Sequence, residues 1–148
     1  MFGELTSDAI ESLLHSEIVA RIGYVDRRGL PYIAPITYAY DGRAIYGYSL
    51  LGAKIEFMSA NPQVCVEVDH IETAADWQSV TARGLFHQLH GQAAEEAVER
   101  ISDRLRTSAI AKNSPLMAFK SFVERSGGAG IAYRIDVTAK QGRYSAST

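Results

Sequence analysis

The sequence predicts a mainly β fold with helices (α+β), in which six strands form an antiparallel barrel. Six segments have the alternating or β-rich composition of strands, and four others have the apolar spacing of helices. Most of the strands follow one another through hairpin turns, whereas a doubly wound parallel sheet requires strands and helices in regular alternation. No repeat, linker or low-complexity tract divides the chain, so residues 1–148 are predicted to form a single domain.

An apolar period of two locates the strands, most clearly at 64–68, where Val64, Val66 and Val68 alternate with other residues. Turn signals occur at residues 26–29 (DRRG) and 41–42 (DG), because glycine accepts positive φ. The longest strand is expected to bend near Gly84. The predicted strands are residues 18–24, 30–40, 44–49, 64–68, 77–90 and 131–137.

Apolar residues three and four apart locate the helices. The predicted helices are near residues 8–14, 52–60, 94–105 and 115–123. Asp8 and Glu11 are expected to form a capping pair at the start of the first helix. Asn61-Pro62 stops the second helix, and Gly127-Gly128 closes the fourth.

Composition and charge exclude several classes of protein. The chain has 15 basic and 17 acidic residues, and its formal net charge of −2 argues against a broad nucleic-acid or acidic-membrane surface. No apolar run approaches the about 20 residues of a membrane span, and residues 1–8 lack the pattern of a signal peptide. We therefore expect a cytoplasmic protein without nucleic-acid or membrane partners.

Few side chains with the chemistry of metal ligands or nucleophiles are present. His87 and His90 are three apart on a predicted strand and point to opposite faces, and His15 and His70 are isolated, so no metal site is predicted. The single cysteine, Cys65, excludes an intrachain disulfide and is expected to be a small core residue. Dinucleotide fingerprint, P-loop and nucleophile-elbow motifs are absent from the sequence.

Three stretches carry a resemblance to a known family. They are residues 29–40 (GLPYIAPITYAY), residues 45–54 (IYGYSLLGAK) followed by Asn61-Pro62, and residues 76–84 (DWQSVTARG). In this order they resemble the pyridoxamine-5′-phosphate-oxidase-like flavoproteins, and among these the small members related to 5-nitroimidazole resistance proteins. The resemblance covers residues 10–91. It implies a six-stranded split barrel of the FMN-binding type, and a homodimer that holds two FMN molecules in clefts shared by both chains.

Lys54 is the position where the resemblance and the physics of the chain agree. It opens a helix that follows a strand, so its ammonium group and the N–H groups of the helix start can converge on a phosphate. The alternative is an ordinary solvated helix lysine. In the similar oxidases a hydroxyl-bearing residue and a serine share the phosphate. Those places fall on Tyr48, with Ser49 beside it, and on Gly52, where the serine is missing.

Two more segments are implied to contact the flavin. The family strand whose backbone runs along the isoalloxazine edge matches Pro35, Ile36 and Thr37. A segment that reaches the flavin from the neighbouring strand matches Gln78, Ser79 and Val80. Trp77 either covers the ring or plugs the end of the barrel, and no catalytic residue is identified.

The resemblance implies an FMN-dependent oxidoreductase that passes two electrons from a nicotinamide donor to a small acceptor, with nitroaromatics among the candidates. No general acid or base stands out, and hydride transfer needs none. Pyridoxamine phosphate oxidase activity itself is disfavoured, because no basic C-terminal substrate-binding set is identifiable. A non-catalytic flavin carrier or sensor would have the same sequence at the cofactor site. Haem or deazaflavin bound on the same barrel are further alternatives.

Overall fold

The structure, a computed structural model, describes residues 1–107 and 114–147. Its elements follow the chain in the order β1 (Phe2–Glu4), α1 (Ser7–Ser16), β2 (Val19–Val25), β3 (Pro31–Thr37), β4 (Ala39–Tyr40), β5 (Ala44–Leu50), α2 (Ala53–Ala60), β6 (Gln63–Thr73), β7 (Asp76–Gln88), α3 (Gly91–Thr107), α4 (Ser114–Arg125) and β8 (Gly130–Ser145).

All of these strands belong to one antiparallel sheet in the order β3-β2-β6-β7-β8-β5-β4, and β1 pairs with the end of β8. The two outer strands, β3 and β4, are separated in the chain by Tyr38 alone, so the sheet curves back on itself around an apolar core. Tyr38 is fully buried there, and its hydroxyl donates to the carbonyl oxygen of Leu14 at 2.7 Å. The predicted class, mainly β with helices in an antiparallel barrel, is confirmed.

The described residues form eight strands rather than the six that the sequence predicts. One addition is β1, whose three residues show no alternation and pair only with β8. The other arises because the predicted strand 30–40 is interrupted at Tyr38. Before this residue the chain pairs with β2, and after it the chain pairs with β5. A change of pairing partner does not alter the apolar pattern of the sequence, so the sequence does not indicate the break.

The long strands keep the predicted turns and the predicted bend. Gly29 and Gly42 have φ of 84° and 94°, as the two turn signals require. The register of β7 against β8 shifts between Arg83 and Gly84, where a Cβ would lie 2.4 Å from the carbonyl oxygen of Asp136. Strand β8 extends eight residues beyond the predicted end at Val137, because its polar second half still pairs with β7.

The predicted capping pair of α1 is wrong. Thr6 is the N-cap, and its hydroxyl accepts the N–H of Ala9 at 3.2 Å. Glu11 instead accepts hydrogen bonds from the hydroxyl of Tyr40 and the ammonium group of Lys140. The cap lies one residue before the serine and aspartate that the sequence pattern favours, and Glu11 is used for tertiary structure.

Cys65 is exposed, contrary to its predicted core position. Val64, Val66 and Val68 are buried, so the odd-numbered residues of β6 face outward. The alternation with the three valines indicates an outward-facing Cys65, whereas the prediction of a core position followed the general tendency of cysteine to be buried. None of the helices in residues 1–107 and 114–147 has the length and apolarity needed to span a bilayer.

Candidate functional site

A cleft of about 430 Å³ opens where β3, β5, α2 and α4 meet. Its volume lies within the range of small-molecule and cofactor sites. The residues that line it are Pro35, Ile36, Thr37, Tyr48, Ser49, Lys54, Ala118, Phe119 and Phe122. The first six are site residues predicted from the sequence, and the structure brings them together around one cavity.

The start of α2 contributes unused hydrogen-bond donors to this region. Gly52 is the N-cap in an extended conformation and supplies no side-chain cap. The first N–H groups of a helix have no intrahelical acceptor. Since the N-terminus also carries the positive end of the helix dipole, it favours an anion.

Lys54 lies in the first turn of α2 and is half-buried. Within the described residues it has no carboxylate partner, and burial, which disfavours the ammonium form, lowers the pKa of Lys54 below its ordinary value of 10.5. Ser49 is half-buried beside it in the lining, and its hydroxyl has no hydrogen-bond partner in the part of the chain that the structure describes. The cleft therefore holds a cation and a hydroxyl that a bound anion can satisfy.

Tyr48 lies on the face of β5 that packs against α4. Its hydroxyl is 2.6 Å from the hydroxyl oxygen of Ser126, and Ser126 itself donates to the carbonyl oxygen of Val123. Because a serine hydroxyl has one hydrogen, Tyr48 must be the donor of the shared bond. Tyr48 thus offers its ring to the cleft while its proton is engaged with the end of α4.

Helix α4 supplies the part of the site that sequence reasoning missed. Ala118, Phe119 and Phe122 line the cleft, and Phe122 is 37% exposed. The ring of Tyr48 makes edge contacts with both phenylalanines, at centroid distances of 6.0 and 5.5 Å. In the sequence, Phe119 and Phe122 belong only to the apolar stripe of a predicted helix. Such a stripe can pack against a core or line a cleft, so the pattern does not identify a site.

The remaining predicted residues lie elsewhere in the single chain. Val80 is fully buried in the core, and Ser79 donates to Glu67 at 2.8 Å on the outer face of the sheet. Gln78 is exposed beside Trp77, whose ring lies 6.4 Å from that of Phe2. Strand β7 is in the middle of the sheet, away from β3, so these residues do not line the cleft of their own chain.

Metal ligands are not assembled in the described ranges 1–107 and 114–147, where no three histidine, cysteine, aspartate or glutamate side chains are placed to hold an ion. The cleft lining itself contains no histidine, cysteine or methionine among the described residues. Its chemistry is that of one cation, three hydroxyl-bearing strand residues (Thr37, Tyr48 and Ser49) and an aromatic wall.

An antiparallel barrel with a lysine-bearing cleft beside its outer strands places the chain among the split-barrel proteins. The family model described as pyridoxamine 5′-phosphate oxidase matches residues 6–124, and the chain belongs to this family. The resemblance inferred from the three sequence stretches is thereby confirmed.

Individual proteins show the same relationship. An FAD-binding protein from Mesorhizobium loti is 25% identical, with a TM-score of 0.75 over 99% of both chains. A candidate 5-nitroimidazole antibiotic resistance protein from Bacteroides thetaiotaomicron is 18% identical, with a TM-score of 0.74 over 97% of this chain and 87% of that one. An uncharacterized protein from Rhizobium meliloti is 39% identical over 59 residues, which is 40% of this chain and 39% of that protein. The chain thus matches about two fifths of this curated relative.

Proposed function

We propose that the chain binds FMN in the cleft and acts as an FMN-dependent oxidoreductase that passes electrons from a nicotinamide donor to a small acceptor. The observation that carries this proposal is Lys54, a half-buried cation at the uncapped start of α2 without a carboxylate partner among the described residues. A partly buried charge without a partner is unfavourable, and such a group in a cleft is a candidate for binding an anionic ligand.

The residues of the cleft fit a phosphorylated flavin. A phosphate charge about 4 Å from the ammonium group gains about 4 kcal/mol at an effective dielectric near 20, before desolvation. The N–H groups at the start of α2 and the hydroxyl of Ser49 add donors. One cation and one helix start suit one phosphate group, which favours FMN over a dinucleotide. The Mesorhizobium loti protein, which binds FAD, supports the flavin class.

The walls of the cleft suit a flat ring. The strand segment Pro35–Thr37 offers backbone along the part of the lining proposed for the flavin ring, and Phe119 and Phe122 offer aromatic surface along another part, where an acceptor can pack. A bound flavin supplies two-electron chemistry, taking hydride from reduced nicotinamide and giving electrons to an acceptor. The chain's own contribution is to hold the phosphate, orient the ring and exclude water. Nitroaromatics are among the candidate acceptors.

Haem is disfavoured by the lining. Haem iron takes its axial ligand from histidine, cysteine, methionine or tyrosine. Of these only Tyr48 lines the cleft within the described residues, and its hydroxyl is engaged with Ser126. A flavin needs no such ligand.

We further infer a homodimer that completes the cleft. The outer strand β3 and the turn before it expose Leu30, Tyr32 and Ile33, and Ile33 is 77% exposed. An apolar outer strand invites pairing or cover by another chain. The family resemblance implies that a second copy would bring Gln78 and Ser79 towards the cleft. Light scattering at micromolar concentration with FMN present should give the mass of a dimer, and a monomeric mass would contradict the inference.

The cytoplasmic location and the lack of nucleic-acid or membrane partners stay predictions from the sequence.

The absorption spectrum of the purified protein tests the cofactor, because flavin, haem and deazaflavin have different bands. We expect flavin bands, either as purified or after addition of FMN. Steady-state oxidation of NADH and NADPH with oxygen, a quinone and a nitroimidazole then tests turnover. If flavin bands are present but neither NADH nor NADPH reduces the flavin, the protein is a flavin carrier or sensor and the oxidoreductase proposal is wrong. Haem or deazaflavin bands would overturn FMN as the cofactor.

A further inference from the structure

Helix α4 is held at both ends against the rest of the protein. Near its start, Leu116 is buried with Ala39, Ile101 and Leu105. At its end, the hydroxyl of Tyr48 donates to Ser126, the residue that follows the helix. The cleft-lining residues of α4 lie between these two attachments.

The contact at the end of α4 depends on a glycine. A Cβ on Gly130 would lie 1.5 Å from the hydroxyl oxygen of Tyr48 and 2.0 Å from the ring carbon that carries it. Only glycine leaves room for the tyrosine to reach Ser126. The loop between Ser126 and Gly130 is also constrained. Gly127 and Gly128 have positive φ, and the N–H of Leu51 donates to the carbonyl oxygen of Ala129 at 3.1 Å.

We propose that the hydrogen bond between Tyr48 and Ser126 positions α4 as the aromatic wall of the cleft and thereby makes the cleft selective for flat aromatic electron acceptors. This inference rests on the proposed function. Tyr48 is a positioning residue in this account, because its proton is engaged with Ser126 and it acts through the helix.

The chemistry of the wall identifies the class of acceptor. Phe119, Phe122 and Tyr48 present aromatic surface to the cleft, and aromatic rings pack against one another by edge or offset contacts at 4.5–7 Å, roughly the range seen among these three. A quinone or nitroaromatic gains such contacts, and a small hydrated ion such as ferricyanide gains none. Selectivity of this kind requires that the wall keep its place, which is what the bond to Ser126 provides.

The test compares Tyr48→Phe, Ser126→Ala and the double variant with the parent. Tyr46→Phe is the matched control, because Tyr46 lies two residues earlier on β5, donates to Asp41 at 2.8 Å and does not line the cleft. The first readout is hydrogen exchange of the α4 amides in flavin-free protein. The second is the ratio of kcat/KM for naphthoquinone to that for ferricyanide, with the rate of flavin reduction by NADPH measured separately by stopped flow.

We expect each single variant to speed exchange in α4 and to lower the acceptor ratio by about fivefold, the typical effect of one hydrogen bond. The double variant should do no more than Ser126→Ala, since Ser126→Ala already removes the bond from Tyr48 together with the bond to Val123. Flavin reduction in Ser126→Ala should stay within about twofold, because Ser126 does not line the cleft. Tyr46→Phe should match the parent in every readout.

Three results would overturn the inference: α4 exchange and acceptor ratios like those of the control, additive effects in the double variant, or a hundredfold loss of flavin reduction in Tyr48→Phe. The last would show that the hydroxyl takes part in the chemistry. A parent that binds no flavin would defeat the proposed function instead, and the exchange measurement would still decide whether the bond positions α4.

Discussion

Two lysines, Lys54 and Lys140, each line a cavity, and their surroundings differ in one respect. Lys140 lies beside a cavity of about 300 Å³ and contacts the carboxylate of Glu11 and, at 3.2 Å, the hydroxyl of Tyr40. Lys54 lies in the cleft of about 430 Å³ and has no carboxylate partner in the described residues. The hydrogen bond to Glu11 raises the pKa of Lys140, whereas burial lowers the pKa of Lys54.

The difference separates a structural cluster from a binding site. Partial burial disfavours the carboxylate of Glu11, but its bonds with Lys140 and Tyr40 outweigh this and hold the pKa of Glu11 below its ordinary value. Every charged group there has its partner within the chain, and the cluster ties α1 to β8. At Lys54 the chain leaves a desolvated cation and helix-start N–H groups without acceptors. An anionic ligand is the partner that this arrangement lacks.

The largest expected effect is on the pH dependence of FMN affinity. Burial lowers the pKa of Lys54 in the free protein, whereas a bound phosphate would raise it. At a pH between the pKa of the free protein and that of the complex, FMN binding is therefore accompanied by the uptake of a proton by Lys54. Affinity for FMN should therefore fall by up to about tenfold per pH unit, starting below pH 10.5. Riboflavin, which has the same ring without the phosphate, is the control, and its affinity should not show the fall that deprotonation of Lys54 causes for FMN. Parallel pH profiles for the two ligands in fluorescence titrations would contradict the role of Lys54.

A smaller effect is expected at the structural cluster. Lys140→Ala should lower the free energy of unfolding by about 1 kcal/mol, the scale of a partly exposed ion pair with hydrogen bonds. FMN affinity should not change. Urea unfolding of the flavin-free protein measures the difference between variant and parent. Because the folded pKa of Glu11 is lowered, this difference should be present at neutral pH and shrink as acid protonates Glu11. A variant with parental stability but weak FMN binding would reverse the roles of the two lysines.

The smallest effect is that of Lys54→Ala on stability. Removing a desolvated ammonium group without an internal partner should leave the unfolding free energy of the flavin-free protein unchanged within about 0.5 kcal/mol, or raise it slightly. The exposed lysine Lys120, which does not line the cleft, provides the matched control Lys120→Ala. A clear loss of stability on removing Lys54 would mean that its cation has a structural partner, and the comparison with Lys140 would fail.

The sequence predicted the barrel from local patterns, and it predicted the β side of the cleft from the resemblance to the family. Alternation located the strands, and the turn signals located the hairpins at Gly29 and Gly42. Lys54 was assigned to the phosphate by the family resemblance, with which its place at the start of a helix after a strand agrees. Strands, turns and helix starts depend on neighbours within a few residues of one another, which is why the sequence indicates them.

The α4 wall lay beyond sequence reasoning for a physical reason. Tyr48 and Ser126 are 78 positions apart, and no local pattern indicates that they form a hydrogen bond. The period of Phe119 and Phe122 defines a helix face but not whether core or cavity lies against it. The break at Tyr38 was missed in the same way, because the strand changes its partner while its composition stays apolar.

The most direct test of the phosphate site is a cycle of two proteins and two ligands. Isothermal titration of the parent and Lys54→Ala with FMN and with riboflavin gives four affinities from which the coupling between Lys54 and the phosphate follows. We expect Lys54→Ala to weaken FMN binding by about tenfold to a hundredfold, the scale of a charge-assisted contact, and to leave riboflavin binding unchanged. Equal affinity of both proteins for FMN, or an equal loss for both ligands, would show that the phosphate does not bind at Lys54.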